Sequence, residues 1–232
     1  MSIIHPKDLS NESKDLNSSS KLFEIYKNLN LASLKCDTYF QTYEELFKEY
    51  VGKKITFVEV GVLHGGSLLM WREYFGSNAR IIGIDLDPKA KELEKKGFEI
   101  FIGSQSDKKF WRKFYSEIGK IDVLLDDGGH VNDQQIVTLS EAVDNVNING
   151  TIVIEDVHTS YIKNKWYNPS KRSFINYSKK LIDDINSRYP GLKNQKFSLN
   201  KYIYSIQNFE SISVFNVDRK LSRINKEIRN NK

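Results

Sequence analysis

A rhythm in the middle of the chain constrains the fold more than any single residue. From Ile55 to Ile154, short apolar runs alternate with amphipathic stretches. The runs are Ile55–Val60, Arg80–Ile84, Phe98–Ile102, Ile121–Leu125 and Thr151–Ile154, each rich in β-branched or aromatic residues. Nearly continuous runs of this kind predict strands buried on both faces of a parallel sheet. Between them, Ser67–Phe75, Pro88–Lys96, Asp107–Ile118 and Asp133–Val146 carry helical spacing. Strand–helix alternation at this pitch predicts an α/β open sheet. The end of the chain breaks the rhythm. After a predicted helix over Phe174–Tyr189, only Gln207–Glu210 separates predicted strands at Lys201–Ile206 and Ser211–Val217. So short a connection cannot make a parallel crossover, so this pair is an antiparallel hairpin. Upstream of the sheet, Tyr39, Tyr43, Leu46, Phe47 and Tyr50 fall at helical intervals. A short helix around Leu22–Tyr26 closes a polar arm over residues 1–30. The expected division is that arm, one folded domain over 31–218, and a basic tail over 219–232.

Composition agrees with one domain. With 232 residues, 39% hydrophobic and 12% aromatic, a chain of this size buries roughly 70% of the surface its unfolded form exposes. Wholesale disorder is excluded. The apolar runs are far shorter than the ~20 residues of a membrane span, and residues 1–20 lack the apolar stretch of a signal peptide. Cys36 is the only cysteine, which excludes an intrachain disulfide and a cysteine-based zinc site. The expectation is a soluble protein of the reducing cytoplasm. The net charge of +5 gathers at the end, where Arg219, Lys220, Arg223, Lys226, Arg229 and Lys232 face only Glu227. A nucleic-acid surface would interleave such charges with aromatics, whereas here the aromatics sit inside hydrophobic patterns. The tail reads as solvated, with no nucleic-acid partner, although attraction for phosphorylated small molecules stays open.

Three segments carry chemistry. The first is the run from Phe57 to Ser67, where a strand enters a turn containing Gly61, Gly65 and Gly66 and then a helix. Glycines there let a ligand approach the backbone, and the helix start offers free N–H groups. The spacing is not that of the dinucleotide fingerprint, and Glu59 opens the turn with an acidic-x-Gly pattern. A tight turn without a ligand remains the alternative. The second is Asp85, at the end of the next strand and about twenty residues on. It is placed to accept hydrogen bonds from ribose hydroxyls, or else to cap the following helix, for which Asp87 before Pro88 is the better candidate. The third is the pair of strand ends Asp126-Asp127-Gly128-Gly129-His130 and Glu155-Asp156-Val157-His158. Functional groups gather outside the C-terminal ends of parallel strands, so Asp127, Glu155 and Asp156 can converge. Converging carboxylates repel unless a cation compensates them, and oxygen ligands favour Mg²⁺ or Mn²⁺. The alternative is that these acids only cap helices.

Taken together, the Glu-x-Gly-x-x-x-Gly-Gly-Ser run, Gly-Ile-Asp-Leu-Asp, Asp-Asp-Gly-Gly-His and Glu-Asp-Val-His-Thr-Ser-Tyr resemble the metal-dependent sugar O-methyltransferases of the macrocin and mycinamicin type, over roughly residues 35 to 190. The strand order resembles that of class I methyltransferases, a Rossmann-like, mostly parallel seven-stranded sheet ending in an antiparallel hairpin. The resemblance implies an S-adenosylmethionine site drawn from Glu59, Gly61, Gly65, Gly66, Ser67, Asp85 and Asp126, with Ser104 and Gln105 in the adenine-side loop. It implies a metal held by Asp127, Glu155 and Asp156, with His130 as base. The chain departs from the family at Gly129, where serine is usual, and at Ile162–Trp166, where the family has glycines. It also lacks the N-terminal substrate domain of larger members. These departures bear on the acceptor.

The expected activity is metal-assisted methylation of a sugar hydroxyl. The ion lowers the hydroxyl's pKa, His130 removes the proton, and the oxygen attacks the methyl group in line. The Lys- and Asn-rich composition suggests an AT-rich bacterial genome and surface polysaccharide as a context. The acceptor is then a sugar or nucleotide-sugar, whose phosphates Lys163, Lys165, Lys171 and Arg172 would meet. A homo-oligomer is expected. The alternatives are an NAD-linked oxidoreductase, which leaves the acids without a task, and a methyltransferase for a non-sugar acceptor. Trp71 and Trp111 read as core and Cys36 as a free structural thiol. His64 could touch the cofactor or face solvent, His158 could support the metal or the substrate, and His5 carries no argument.

Overall fold

The computed structural model describes residues 17–167, 172–188, 202–221 and 227–230. Strands β1 (Thr56–Val60), β2 (Arg80–Asp85), β3 (Glu99–Ile102), β4 (Ile121–Asp126), β5 (Val146–Ile154), β6 (Ile203–Phe209) and β7 (Ile212–Val217) form one sheet in the order β3-β2-β1-β4-β5-β7-β6. β1 to β5 run parallel, whereas β7 lies antiparallel to both β5 and β6. The predicted mostly parallel sheet with a terminal hairpin is therefore present.

Alternation along the strands divides the core into two layers. Phe57 and Ile81 face one side, where α1 (Lys21–Lys27), α2 (Tyr39–Phe47) and α3 (Gly66–Phe75) pack through Leu22, Tyr43, Phe47 and Trp71. Val58 and Ile82 face the other, covered by α4 (Lys108–Ile118), α5 (Asn132–Ala142) and α6 (Phe174–Asn186) through Trp111, Phe114, Leu139 and Phe174. Both Trp71 and Trp111 are fully buried, as expected of core residues. The helix that ends the N-terminal arm belongs to the first layer. Leu22 is buried, and Glu44 accepts hydrogen bonds from Ser20 Oγ at 3.0 Å and Leu22 N at 2.7 Å.

Boundaries differ from the sequence reading in several places. Pro88–Lys96 is a 3-10 helix; its buried residues, Ala90 and Leu93, stand three apart and suit that tighter repeat. The helix expected to reach Val146 ends at Ala142, and β5 already begins at Val146. A register irregularity on β4, with Asn149 at φ 66° and Gly150 against the Asp122 carbonyl, lets β5 start early. The hairpin loop shrinks to Glu210-Ser211, with Ser211 at φ 60°. The helix expected to reach Tyr189 ends at Asn186. The limit expected at Lys201, the first sixteen residues of the arm, Lys171, and half of the basic tail lie outside the described residues. Arg219 is no free tail charge. Its guanidinium donates to the carbonyls of Val143, Asp144 and Val146 and stacks on Tyr202. Among the described residues, no helix is long and apolar enough to cross a membrane.

Candidate active site

Strand order reverses between β1 and β4, and a crevice opens there beyond the strands' C-terminal ends. A cavity of about 1620 Å³ occupies it, lined among others by Gly61, Asp85, Ser104, Gln105, Asp127 and His130.

The β1–α3 turn builds one wall. Gly61 has φ +84°, and a Cβ there would lie 2.2 Å from the Asp127 carbonyl oxygen, so only glycine lets the ends of β1 and β4 sit back to back. The neighbouring Asp85 carboxylate accepts from Val62 N and Asp87 N, both at 2.9 Å, and its exposed side borders the cavity. Asp87 caps the following helix by accepting from Lys89 N, as expected. Ser67 lines the cavity. Gly65 and Gly66 have other neighbours: a Cβ on Gly65 would meet Leu93, and one on Gly66 the carbonyls of Leu31 and Ala32. Glu59 stands behind the wall, fully buried, and accepts from Ser67 Oγ at 2.7 Å and Trp71 Nε1 at 3.3 Å. Burial and the nearby Asp127 charge push its pKa up to about 7 against the pull of Lys35.

The loop after β3 joins the two walls. Gln105 donates to both oxygens of Asp126, at 2.9 and 3.0 Å, and accepts from Gly129 N at 2.8 Å. Asp126 is 1% exposed and also accepts from Gly128 N at 3.1 Å, so it shapes the β4 loop from behind Gln105. Burial raises its pKa.

The second wall carries the acids, and they form two groups. Asp127, His130 and Asp156 face the cavity, with one potential ligand atom from each within 4.8 Å of the others. His130 Nε2 lies 3.3 Å from Asp156 Oδ2 and 3.9 Å from Asp127 Oδ1. His130 (φ 55°) and Asp156 (φ 53°) both adopt the left-handed backbone that non-glycine residues avoid. Such strain persists where the surroundings enforce it, commonly at functional sites. Glu155 borders the same cavity but lies deeper. It is 1% exposed and accepts from Tyr43 OH and from Lys35 Nζ, the latter at 3.2 Å to each oxygen. Burial and the Asp127 charge raise its pKa well above the usual carboxylate value.

Lys35 is the residue that sequence reasoning missed. Its side chain is 1% exposed, and Nζ reaches Asp127 Oδ2 at 2.5 Å and Glu59 Oε1 at 3.6 Å besides Glu155. Burial alone would lower its pKa, but Asp127, Glu155 and Glu59 together hold it well above the ordinary lysine value. The acids do converge, yet a lysine already compensates part of their charge. Tyr39 is a second unforeseen contact, its hydroxyl donating to Asp156 Oδ1 at 2.6 Å. No local pattern around positions 35 and 39 marks these partners, which lie more than a hundred residues away from Glu155 and Asp156. His64 and Cys36 border the cavity, and Cys36 is exposed. His158 is half-exposed at the rim, with Nδ1 at 2.5 Å from Ser211 Oγ and 3.8 Å from Asp156 Oδ1.

The sheet order and terminal hairpin are those of a class I methyltransferase. Superposition on solved structures gives the same fold: a TM-score of 0.73 with the MycE methyltransferase of mycinamycin biosynthesis in complex with Mg and SAH, at 23% identity over 88% of this chain and 54% of that one. The SAH-bound Podospora anserina methyltransferase PaMTH1 gives 0.61 at 15% identity, covering 94% and 98% of the two chains. Within that class the chain is related in sequence to sugar O-methyltransferases of the macrocin and mycinamicin type. The 8-demethyl-8-alpha-L-rhamnosyl tetracenomycin-C 2'-O-methyltransferase of Streptomyces olivaceus is 30% identical over 167 residues, 66% of this chain and 43% of that protein. The mycinamicin VI 2''-O-methyltransferase of Micromonospora griseorubida is 29% identical over 126 residues, 51% and 31% of the two chains. The chain thus spans less than half the length of these relatives. No protein-family model matches it.

Proposed function

We propose that this chain is an S-adenosylmethionine-dependent O-methyltransferase acting, with a divalent cation, on a hydroxyl of a sugar or a glycosylated small molecule. The observation that carries the reading is the Asp127–His130–Asp156 group facing, across one crevice, the Asp85 carboxylate at the end of β2. Clustered carboxylate oxygens suit Mg²⁺ or Mn²⁺, and His130 stands beside them as a base and not a ligand. Asp127, Glu155 and Asp156 would hold the ion, the first two now sharing Lys35. When bound, the ion supplies Lewis acidity at the acceptor oxygens and S-adenosylmethionine an electrophilic methyl group. The chain's own residues do the rest. Asp85 accepts the ribose hydroxyls, the Ser104–Gln105 loop borders the adenine side, and the glycine at 61 keeps both walls within reach of one ligand. His130 Nε2 takes the proton of the acceptor hydroxyl as the new O–CH₃ bond forms and the C–S bond breaks. Asp156, 3.3 Å away, stabilises the resulting imidazolium.

The relatives' names support a sugar hydroxyl as acceptor. A nucleotide-linked sugar is the finer reading, with Lys163, Lys165 and Arg172 on the segment after Asp156 available to phosphates, although Arg172 also pairs with Asp133 at 3.9 Å. We place the enzyme in the cytoplasm, as a homo-oligomer. Mass-spectrometric detection of methyl transfer to a panel of sugars, nucleotide-sugars and glycosylated metabolites tests the reading. Transfer that stops on chelation and returns with Mg²⁺ or Mn²⁺ is the expected outcome. Calorimetric binding of NAD in place of S-adenosylmethionine would overturn it in favour of an oxidoreductase.

A further inference from the structure

Lys35 has no task in that mechanism, yet the fold spends a buried position on it. The segment carrying it, between α1 and α2, forms a wall of the cavity from Asn30 to Cys36. It is fastened on both sides of the lysine. Tyr26 OH donates to the Ser33 carbonyl at 2.8 Å, Asn17 Nδ2 donates to the Asp37 carbonyl at 2.8 Å, and Leu31 and Ala32 lie against Gly66. From this strap the Lys35 stem reaches inward, and its ammonium takes one oxygen of Asp127 and both of Glu155.

We propose that Lys35 is an internal stand-in for the divalent cation: ammonium and metal compete for Asp127 and Glu155, so metal loading releases Lys35 and loosens the strap over the cavity. The inference rests on the function proposed above. Its physical basis is like-charge repulsion in a water-poor site. A divalent ion on Asp127 would sit beside an ammonium that shares the same carboxylate, and a low-dielectric surrounding screens that repulsion little. A lysine suits the exchange, because its point charge rides on a flexible stem and needs no fixed fork geometry. In the metal-free state it keeps buried acids paired, avoiding the cost of an uncompensated buried charge. The strap then couples the two states to access, since its backbone borders the space in which cofactor and acceptor would meet.

The test is Mn²⁺ binding by the full chain and by Lys35→Met, which keeps the length and removes the charge. Competition requires the variant to bind Mn²⁺ more tightly, by roughly tenfold or more, because the site no longer has to expel a cation. Equal or weaker binding by the variant overturns the inference while leaving a metal-assisted enzyme in place. Failure of both proteins to bind Mn²⁺ overturns the inference together with the metal part of the proposed function. A second measurement needs no variant. Backbone hydrogen exchange over residues 31–37 of the unmodified chain should quicken when Mn²⁺ is added; unchanged or slower exchange overturns the release of the strap.

Discussion

The two walls of the crevice are built on different principles. The β1–β2 wall is made of backbone: a glycine turn whose amides at Gly61 and Gly65 bond to the Ile84 and Val62 carbonyls, and one carboxylate held by Val62 N and Asp87 N. Each contact spans little more than twenty residues. The β4–β5 wall is made of buried charge. Glu155 depends on Tyr43 and Lys35, and Asp156 on Tyr39, all contributed by a segment more than a hundred residues upstream. A wall of turns is specified by local spacing. A wall of charges is specified by whatever the tertiary fold brings alongside, because burying a charge is tolerable only when a partner arrives with it.

That difference predicts how each wall fails. The largest effect should come from the charged wall. His130→Ala should lower kcat by roughly 10²–10⁴-fold, the usual worth of a general base, and leave S-adenosylmethionine affinity intact. Calorimetry alongside steady-state kinetics checks this; activity within a few-fold of the unmodified enzyme would remove His130 from the chemistry, and loss of metal binding would make it a ligand.

Gly61→Ala attacks the seam between the walls and so tests whether they are separate at all. The new Cβ would press on the Asp127 carbonyl at a backbone angle of +84°. The expected loss of folding stability is roughly 3 kcal/mol or more, from strain and overpacking together, read by chemical denaturation. A near-neutral change would mean that the two strand ends can part freely.

Asp85→Ala should touch the backbone wall alone. Cofactor affinity should fall by on the order of 1–3 kcal/mol through lost charge-assisted hydrogen bonds, with kcat at saturating cofactor little altered. An unchanged affinity would take Asp85 out of the site.

The same contrast sets how much was legible in the sequence. The strand–helix rhythm, the terminal hairpin and the positions of Gly61, Asp85, Asp127, His130 and Asp156 at strand ends follow from periodicity and from where parallel sheets collect their ligands. What spacing could not convey was depth. Glu155 and Asp156 are adjacent and both border the cavity, yet Glu155 is buried on Lys35 and Tyr43 while the Asp156 side chain is 21% exposed. Asp126 and Asp127 divide in the same way, as alternation along a strand requires. Gly65 and Gly66 announce a turn, but their packing against Leu93 and against Leu31–Ala32 is a tertiary matter. Lys35 was illegible for the strongest reason: a lysine between Leu34 and Cys36 in an irregular segment looks like any surface cation.

Glu59 lies behind both walls and gives the smallest and most discriminating prediction. Burial raises its pKa from 4.5 to about 7. A carboxyl shifted upward binds a proton in the folded chain that the unfolded chain has already released, so between those two values stability falls as pH rises, and above about 7 the whole penalty is present. Glu59→Gln removes the titration and should flatten the stability profile in that window, most clearly in the metal-free protein. The net gain at pH 8 should be only about 1 kcal/mol, because the neutral side chain also withdraws a counter-charge from Lys35 at 3.6 Å and must still accept from Ser67. Denaturant midpoints measured across pH 4 to 8 decide it. Parallel profiles for the two proteins would show that Glu59 is ionised throughout, with Lys35 already its full partner, and the charged wall would then extend through the sheet to the back of the backbone wall.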